Sequence, residues 1–170
     1  MTGPDEHERL EYFLDQQRGA VLAIIDGLDE RQLRTPVLPS GWTPIGMLLH
    51  LANAEAMWFQ RVVAGVMPQT TWDDDIVDPP YDPEAAFVTG HSSTAVIAHY
   101  RDQCDRSNQI LRACDLDQPL AAEHDVDWPG EPITDVRWVA LHLIEETARH
   151  AGHLDAAREL IDGRVGLGPR

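Results

Sequence analysis

The segment Glu145-Glu146-Thr147-Ala148-Arg149-His150-Ala151-Gly152-His153 concentrates groups that bind metals or move protons. It sets a carboxylate and an imidazole, Glu146 and His150, four residues apart. On a helix that spacing places both on adjacent turns of one face. His153 carries the stripe one turn further and His142 begins it one turn earlier. At ~100° per residue, positions 142, 146, 150 and 153 fall within about 80° of one another. Glu and His at this spacing, joined by a third ligand from another element, suit a divalent metal. The same pattern also serves as a solvated face with an i,i+4 pair. Positions 143, 147, 150, 154, 157 and 161 read Leu, Thr, His, Leu, Ala and Ile, so His150 lies on a mainly apolar stripe. An imidazole buried there needs a partner, and a metal is one.

Four helical segments must position these groups. The first runs from about Asp5 to Leu28, with Leu10, Phe13, Leu14, Val21, Ile24, Ile25 and Leu28 at helical spacing and Gly27 and Asp29 at its end. The second opens on Thr43 as cap and Pro44 at the first helical position, and runs to about Ala64 before Gly65. Ile45, Leu49, Ala52, Ala56, Phe59 and Val63 form its stripe; Leu48, Leu51, Trp58 and Val62 widen it, which predicts the most buried helix of the four. The third starts near Ser93 and ends near Cys114, with Val96, Ile97, Tyr100, Cys104, Asn108 and Leu111 inward. The fourth starts after Thr134 and ends at Asp162, with Gly163 as its stop and a poorly ordered tail to Arg170. Connections 66–90 and 115–133 are rich in Pro, and no segment shows strand alternation. The expected fold is all-α, a four-helix bundle, a class whose metal sites sit between facing helices. One domain spans residues 1–170, its core from about 8 to 163.

A third ligand should come from another helix. His50 is the only His of the second helix. It lies about 140° from the centre of the apolar stripe, beside Asn53 and Met57. Periodicity alone therefore reads His50 as a helix flank rather than a ligand.

The bulk properties narrow the function classes. A net charge of −16 leaves no basic surplus to neutralise nucleic-acid phosphates or an anionic membrane. All thirteen basic residues are Arg, which points to a GC-rich genome and excludes a lysine Schiff base or a phosphate-binding lysine. Cys104 and Cys114 sit ten residues apart on one helix, about 15 Å along it, too far to pair. Unpaired cysteines, with neither an 18-residue apolar run nor a signal-peptide pattern, fit a cytoplasmic protein.

Two stretches carry a family resemblance: Trp42-Thr-Pro-Ile-Gly-Met-Leu-Leu-His50-Leu-Ala-Asn-Ala-Glu55 and Leu143-Ile-Glu-Glu-Thr-Ala-Arg-His150-Ala-Gly-His153-Leu-Asp155. Tyr100 to Leu111 and Arg158 to Gly163 add to it. The chain resembles the DinB-like superfamily of four-helix metal-binding proteins, in the actinobacterial branch that includes the N-terminal domain of mycothiol-dependent maleylpyruvate isomerase. The resemblance covers about residues 8 to 163. It implies an up-down-down-up bundle with a divalent metal near one end, held by His50, Glu146 and His150. Zinc is the first candidate, with nickel, iron and manganese as alternatives. Three protein ligands leave coordination positions open, as in a catalytic site. The resemblance further implies mycothiol, or a thiol like it, as co-substrate and a small electrophile as acceptor, in an S-transferase or isomerase reaction. A thiol on zinc ionises near neutral pH and becomes a nucleophile.

Other residues carry smaller roles. His153 suits a fourth ligand, or a contact to a ligand or to substrate. Arg149 suits an anionic substrate or a surface ion pair. Glu145 faces about 100° away from Glu146 and breaks the four-residue relation. Trp42, Trp58 and Trp138 suit core packing more than a pocket wall. Asp73, Asp74, Asp75 and Asp78 lack the alternation and closing Glu of a calcium loop, and read as a solvated turn. His7, His91, His99 and His124 read as solvent-facing. Two further functions use the same ligands: a non-haem iron oxygenase, and a non-catalytic metal-binding stress or interaction protein, for which a homodimer through exposed helix faces would serve.

Overall fold

Each helix starts where a short polar side chain takes up its first free N–H groups. The computed structural model describes residues 5–68, 86–122 and 132–166. Helix α1 (Glu6–Ile25) opens on a capping box: Asp5 accepts from the Glu8 N–H, and Glu8 accepts from the Asp5 N–H. It stops at Ile25, one turn before the expected Leu28. The chain turns through Gly27, whose φ of 75° is the left-handed conformation that glycine tolerates. Asp29 then opens a second box with Gln32 and starts the short helix α2 (Glu30–Leu33). Four residues are too few for a periodic signal, although the Asp29-Glu-Arg-Gln32 pattern is a start signature.

Helix α3 (Pro44–Glu55) begins as expected, with Thr43 accepting from the Gly46 N–H and Pro44 in the first turn. Its continuation differs from the expected α-helix: Ala56–Val63 is π-helical, with wider i→i+5 turns, and Ala64 N–H closes onto Phe59 O. The wider turn buries Trp58, Phe59, Gln60, Val62 and Val63 together. Helix α4 (Ser93–Ala113) is capped by Ser92. Helix α5 (Val136–Asp162) is capped by Asp135 and ends at Gly163, φ 78°. No helix among the described residues is long and apolar enough to cross a membrane.

Two core clusters fix the helix directions. Leu10 and Leu14 of α1 pack with Val136, Val139, Ala140 and Leu143 of α5, with Leu111 of α4, and with the π-helical segment. Val21, Ile24 and Ile25 pack at the other end with Leu154 and Ala157 of α5, Val96 and Tyr100 of α4, and Ile45 to Ala52 of α3. Thus α1 and α5 run parallel, and α3 and α4 run against them. The bundle is all-α, as the periodicity predicts, and up-down-down-up, as the family resemblance implies.

One buried ion pair joins α1 to the point where α3 becomes π-helical. Arg18 Nε and Nη2 donate to Glu55 Oε1 and Oε2, each at 2.7 Å. Arg18 is 3% exposed and Glu55 2%. The remaining guanidinium nitrogen, Nη1, donates to Asp15 at 2.8 Å and to Asn108 Oδ1 at 2.6 Å. A charged pair this deep is tolerated only because the fork is bidentate and further hydrogen-bonded.

Helix α4 corrects one expectation. His99, read as solvent-facing, is 3% exposed. Gln103 is fully buried because Gln60 of the π-helical segment donates to its Oε1 at 2.5 Å. Cys104, read as inward, is partly buried and packs against the core, and Asn108 turns inward to accept from Arg18. Both cysteines are free thiols, and burial pushes the Cys104 thiol well above its usual range.

Replacing Arg18 by Met should destabilise the protein by about 3–5 kcal/mol, because Glu55 is left buried and uncompensated. Urea denaturation followed by circular dichroism measures this, and a loss under about 1 kcal/mol would contradict the deep-pair reading.

Candidate metal centre

The seam between α3 and α5 brings the predicted groups together. His50 Nε2 lies 3.2 Å from Glu146 Oε1, and His150 Nε2 lies 2.9 Å from the same oxygen. One donor atom from each residue falls within 4.8 Å of the others, the only such trio among the described residues. Tetrahedral zinc with bonds of ~2.0–2.1 Å places its donors about 3.3 Å apart, so small side-chain movements suffice for all three to share an ion. The donor chemistry fits as well: two imidazoles and one carboxylate, each a first-row-metal ligand.

The three candidate ligands sit in different surroundings. His150 is 9% exposed, as its place on the apolar stripe requires. Leu143, Thr147, Leu154 and Ala157 of the same stripe are also buried. The His50 and Glu146 side chains each keep about a fifth of their surface accessible, 21% and 20%. His50 is indeed on a flank of α3, but that flank faces α5.

Glu146 is held ionised far below the usual carboxylate range. Hydrogen bonds from His150 and then from His50 are the largest causes, and they outweigh the opposing effect of burial. His153 is exposed, and its Nδ1 lies 3.3 Å from His150 Nδ1. Burial, then the charge of His150, then Arg149 lower the pKa of His153. With an ion in place of the proton on His150 Nε2, a neutral His150 would carry its proton on Nδ1 and could donate it to a neutral His153.

The remaining expectations sort as follows. His142 stands one turn from Glu146 but stacks on Trp138 (ring centroids 5.1 Å, 25°) and meets the edge of Trp58. Trp42 and Trp58 are buried in the two cores, and Trp138 is half-buried. Glu145 and Arg149 are exposed. His7 is half-buried rather than solvent-facing and donates from Nε2 to Cys114 O at 2.9 Å; His91 is also half-buried. Asp73, Asp74, Asp75, Asp78, His124 and the end of the tail from 167 lie outside the described residues.

One neighbour of the site had no recognised motif. Phe87, in the connection before α4, stacks on the His50 ring with centroids 4.0 Å apart and planes at 13°. Gly46, in the first turn of α3, is the available signal, since a residue with no side chain lets another backbone approach that turn closely.

The mycothiol-S-transferase family model matches residues 9–163. Among solved structures, a conserved protein from Enterococcus faecalis superposes with a TM-score of 0.74, covering 95% of this chain and 100% of that one at 15% identity. That likeness shows the fold. No curated protein matches.

The carboxylate carries a pH signature in the metal-free protein. Its folded pKa is depressed, so its contribution to stability is complete above the unfolded value of ~4.3 and is lost as pH falls below it toward the folded value. Glu146→Gln should therefore flatten the acid limb of stability below about pH 5, read as Tm against pH. An unchanged acid limb would show that Glu146 is not held by the two imidazoles.

Proposed function

The chain belongs to the mycothiol-S-transferase family of DinB-like helical proteins, and on that premise we propose that it is a metal-dependent thiol S-transferase. His50, Glu146 and His150 hold a divalent ion, zinc first among the candidates. A low-molecular-weight thiol of the mycothiol type is the sulfur donor, and a small electrophile is the acceptor. The observation that carries this reading is the convergence of three donor atoms from two facing helices.

The residues have separable tasks. Glu146 supplies the one negative charge of the donor set, so a divalent ion keeps a net positive charge toward an incoming thiol. When bound, such an ion lowers the pKa of a coordinated thiol and makes a thiolate available at neutral pH. In the transfer, sulfur bonds to the electrophilic carbon. The thiol proton passes to solvent, and a leaving group departs with its bonding pair, or an unsaturated acceptor takes up a proton instead. His150 presents Nε2 to the ion while Nδ1–H donates to His153. His153 is thus a positioning residue, and neither His153 nor Arg149 is needed as a ligand.

Freshly purified protein should contain roughly one divalent ion per chain by plasma mass spectrometry, lost in His50→Ala and in His150→Ala. Thiol conjugation to an electrophile such as a monochlorobimane dye should be abolished by chelator and restored by zinc. Wild-type protein that neither contains nor takes up a divalent ion would overturn the proposal. His153→Ala should weaken zinc binding by about tenfold without removing it, in a competition titration against a chromophoric chelator. Affinity equal to wild type would remove His153 from the site.

A further inference from the structure

The segment around Phe87 lies directly against α3 at the metal centre. A Cβ built on Gly46 would stand 2.0 Å from Phe87 O, 2.4 Å from Phe87 C and 2.7 Å from Val88 Cα. No side chain fits that gap, so only glycine lets the two backbones touch. Thr43 N–H, at the start of the same helix, donates to Phe87 O at 3.0 Å. From the other side Arg34, just after α2, donates through Nη1 to Thr89 O at 2.7 Å and through Nη2 to His91 O. Glu30 of α2 holds Arg34 Nε at 2.7 Å and also accepts from the Ser93 hydroxyl at the start of α4. Residues 87–91 are thus tied down at three carbonyls.

The anchored backbone aims one side chain at the site. The Phe87 ring lies nearly parallel to the His50 ring, centroids 4.0 Å apart, and turns its plane 83° from that of His150 at 6.0 Å. His50 and His150 meet edge to face at 5.0 Å. His50 needs such support more than His150 does. His150 is gripped by its apolar stripe, whereas His50 stands on a helix flank with 21% of its side chain accessible. The hydrogen bond to Glu146 fixes one end of the His50 imidazole, and a flat surface against the ring fixes its tilt.

We propose that Phe87, seated by the Gly46 backbone contact, is a positioning residue that holds the His50 imidazole in its metal-binding orientation and keeps water from that face of the centre. This role rests on the metal-dependent reading above. An aromatic ring acts here as hydrogen-bonded partners of metal ligands commonly do, by removing alternative orientations before the ion arrives. The surrounding apolar surface also limits solvent access to the ion.

The test compares Phe87→Ala, Phe87→Tyr and Gly46→Ala with wild type. Two readouts are taken: zinc affinity by chelator competition with the cobalt(II) absorption spectrum, and the NMR shifts of the His50 ring protons in metal-free protein. Stacking at 4.0 Å shields those protons, so wild type and Phe87→Tyr should show them upfield, and Phe87→Ala and Gly46→Ala should not. Zinc affinity should fall about 10-fold or more in Phe87→Ala and Gly46→Ala, with an altered cobalt spectrum, and be kept in Phe87→Tyr. Far-ultraviolet circular dichroism should match wild type in all three. Gly46→Ala displaces the backbone at residues 87 and 88 and leaves the Phe87 ring chemically intact, so agreement between it and Phe87→Ala separates positioning from mere loss of a core contact. Normal metal uptake with unchanged affinity and spectrum in Phe87→Ala and Gly46→Ala would overturn the positioning role alone. Wild-type protein that takes up no metal would overturn the metal reading and this role together, whatever the NMR shows.

Discussion

A single carboxylate oxygen shared by two imidazoles governs this structure. Glu146 Oε1 is within hydrogen-bonding distance of His50 and of His150, in a seam where each group keeps only part of its hydration. A charge in such a place is unfavourable unless partners replace the lost water. Two imidazoles from different helices provide that replacement, and they do so only while α3 and α5 hold their register. The packing of both core clusters thereby bears on one small polar site. An error of one residue along α3 would turn His50 by ~100° and leave Glu146 with a single partner.

Register along α3 is secured at both ends. At its start, Thr43 caps the helix and donates its own N–H to the Phe87 carbonyl, so the segment that covers His50 is tied to the first turn. At its end, Glu55 is gripped by Arg18 of α1 where the backbone changes from α to π. The π-helical turns that follow put Gln60 against Gln103 and keep Trp58, Phe59, Val62 and Val63 inside. The α-helical stretch between these ends carries His50. The widened turns fall after His50 rather than on it, so the adjustment needed to fill the far core leaves the geometry around His50 alone.

The parts legible in the sequence were those expressed within one segment. The four-residue step from Glu146 to His150, a cap before Pro44, and Gly163 after Asp162 each depend on one helix and its local geometry. The parts that were not legible are contacts between segments far apart in the chain. Periodicity placed His50 on a flank, which is correct, but a helical wheel cannot say which neighbour that flank meets; only the family resemblance singled it out. His99 and Gln103 look solvent-facing by residue type, and tertiary partners bury them. Arg18 with Glu55, 37 residues apart, has no local signature at all. Helix α2 was missed for another reason: a four-residue helix is stabilised by its capping box and its contacts, not by an apolar face.

The two histidines of the candidate site also show two ways of holding the same ring. His150 is fixed because its helix is amphipathic: the apolar stripe that folds the bundle carries the imidazole inward, and rotamer choice follows from packing. His50 has no such stripe behind it. Its orientation depends on a neighbour that arrives from outside the helix, and that neighbour comes close only because position 46 has no side chain. Glycine has lower helix propensity than alanine, by up to ~1 kcal/mol in a helix interior and less in a first turn such as that of Gly46. At Gly46 the lost helix propensity is exchanged for backbone contact with residues 87 and 88, and that contact places the phenyl ring against the histidine. The first-turn glycine and the flank histidine, each a weak signal alone, are two parts of one arrangement that sets the tilt of the His50 ring.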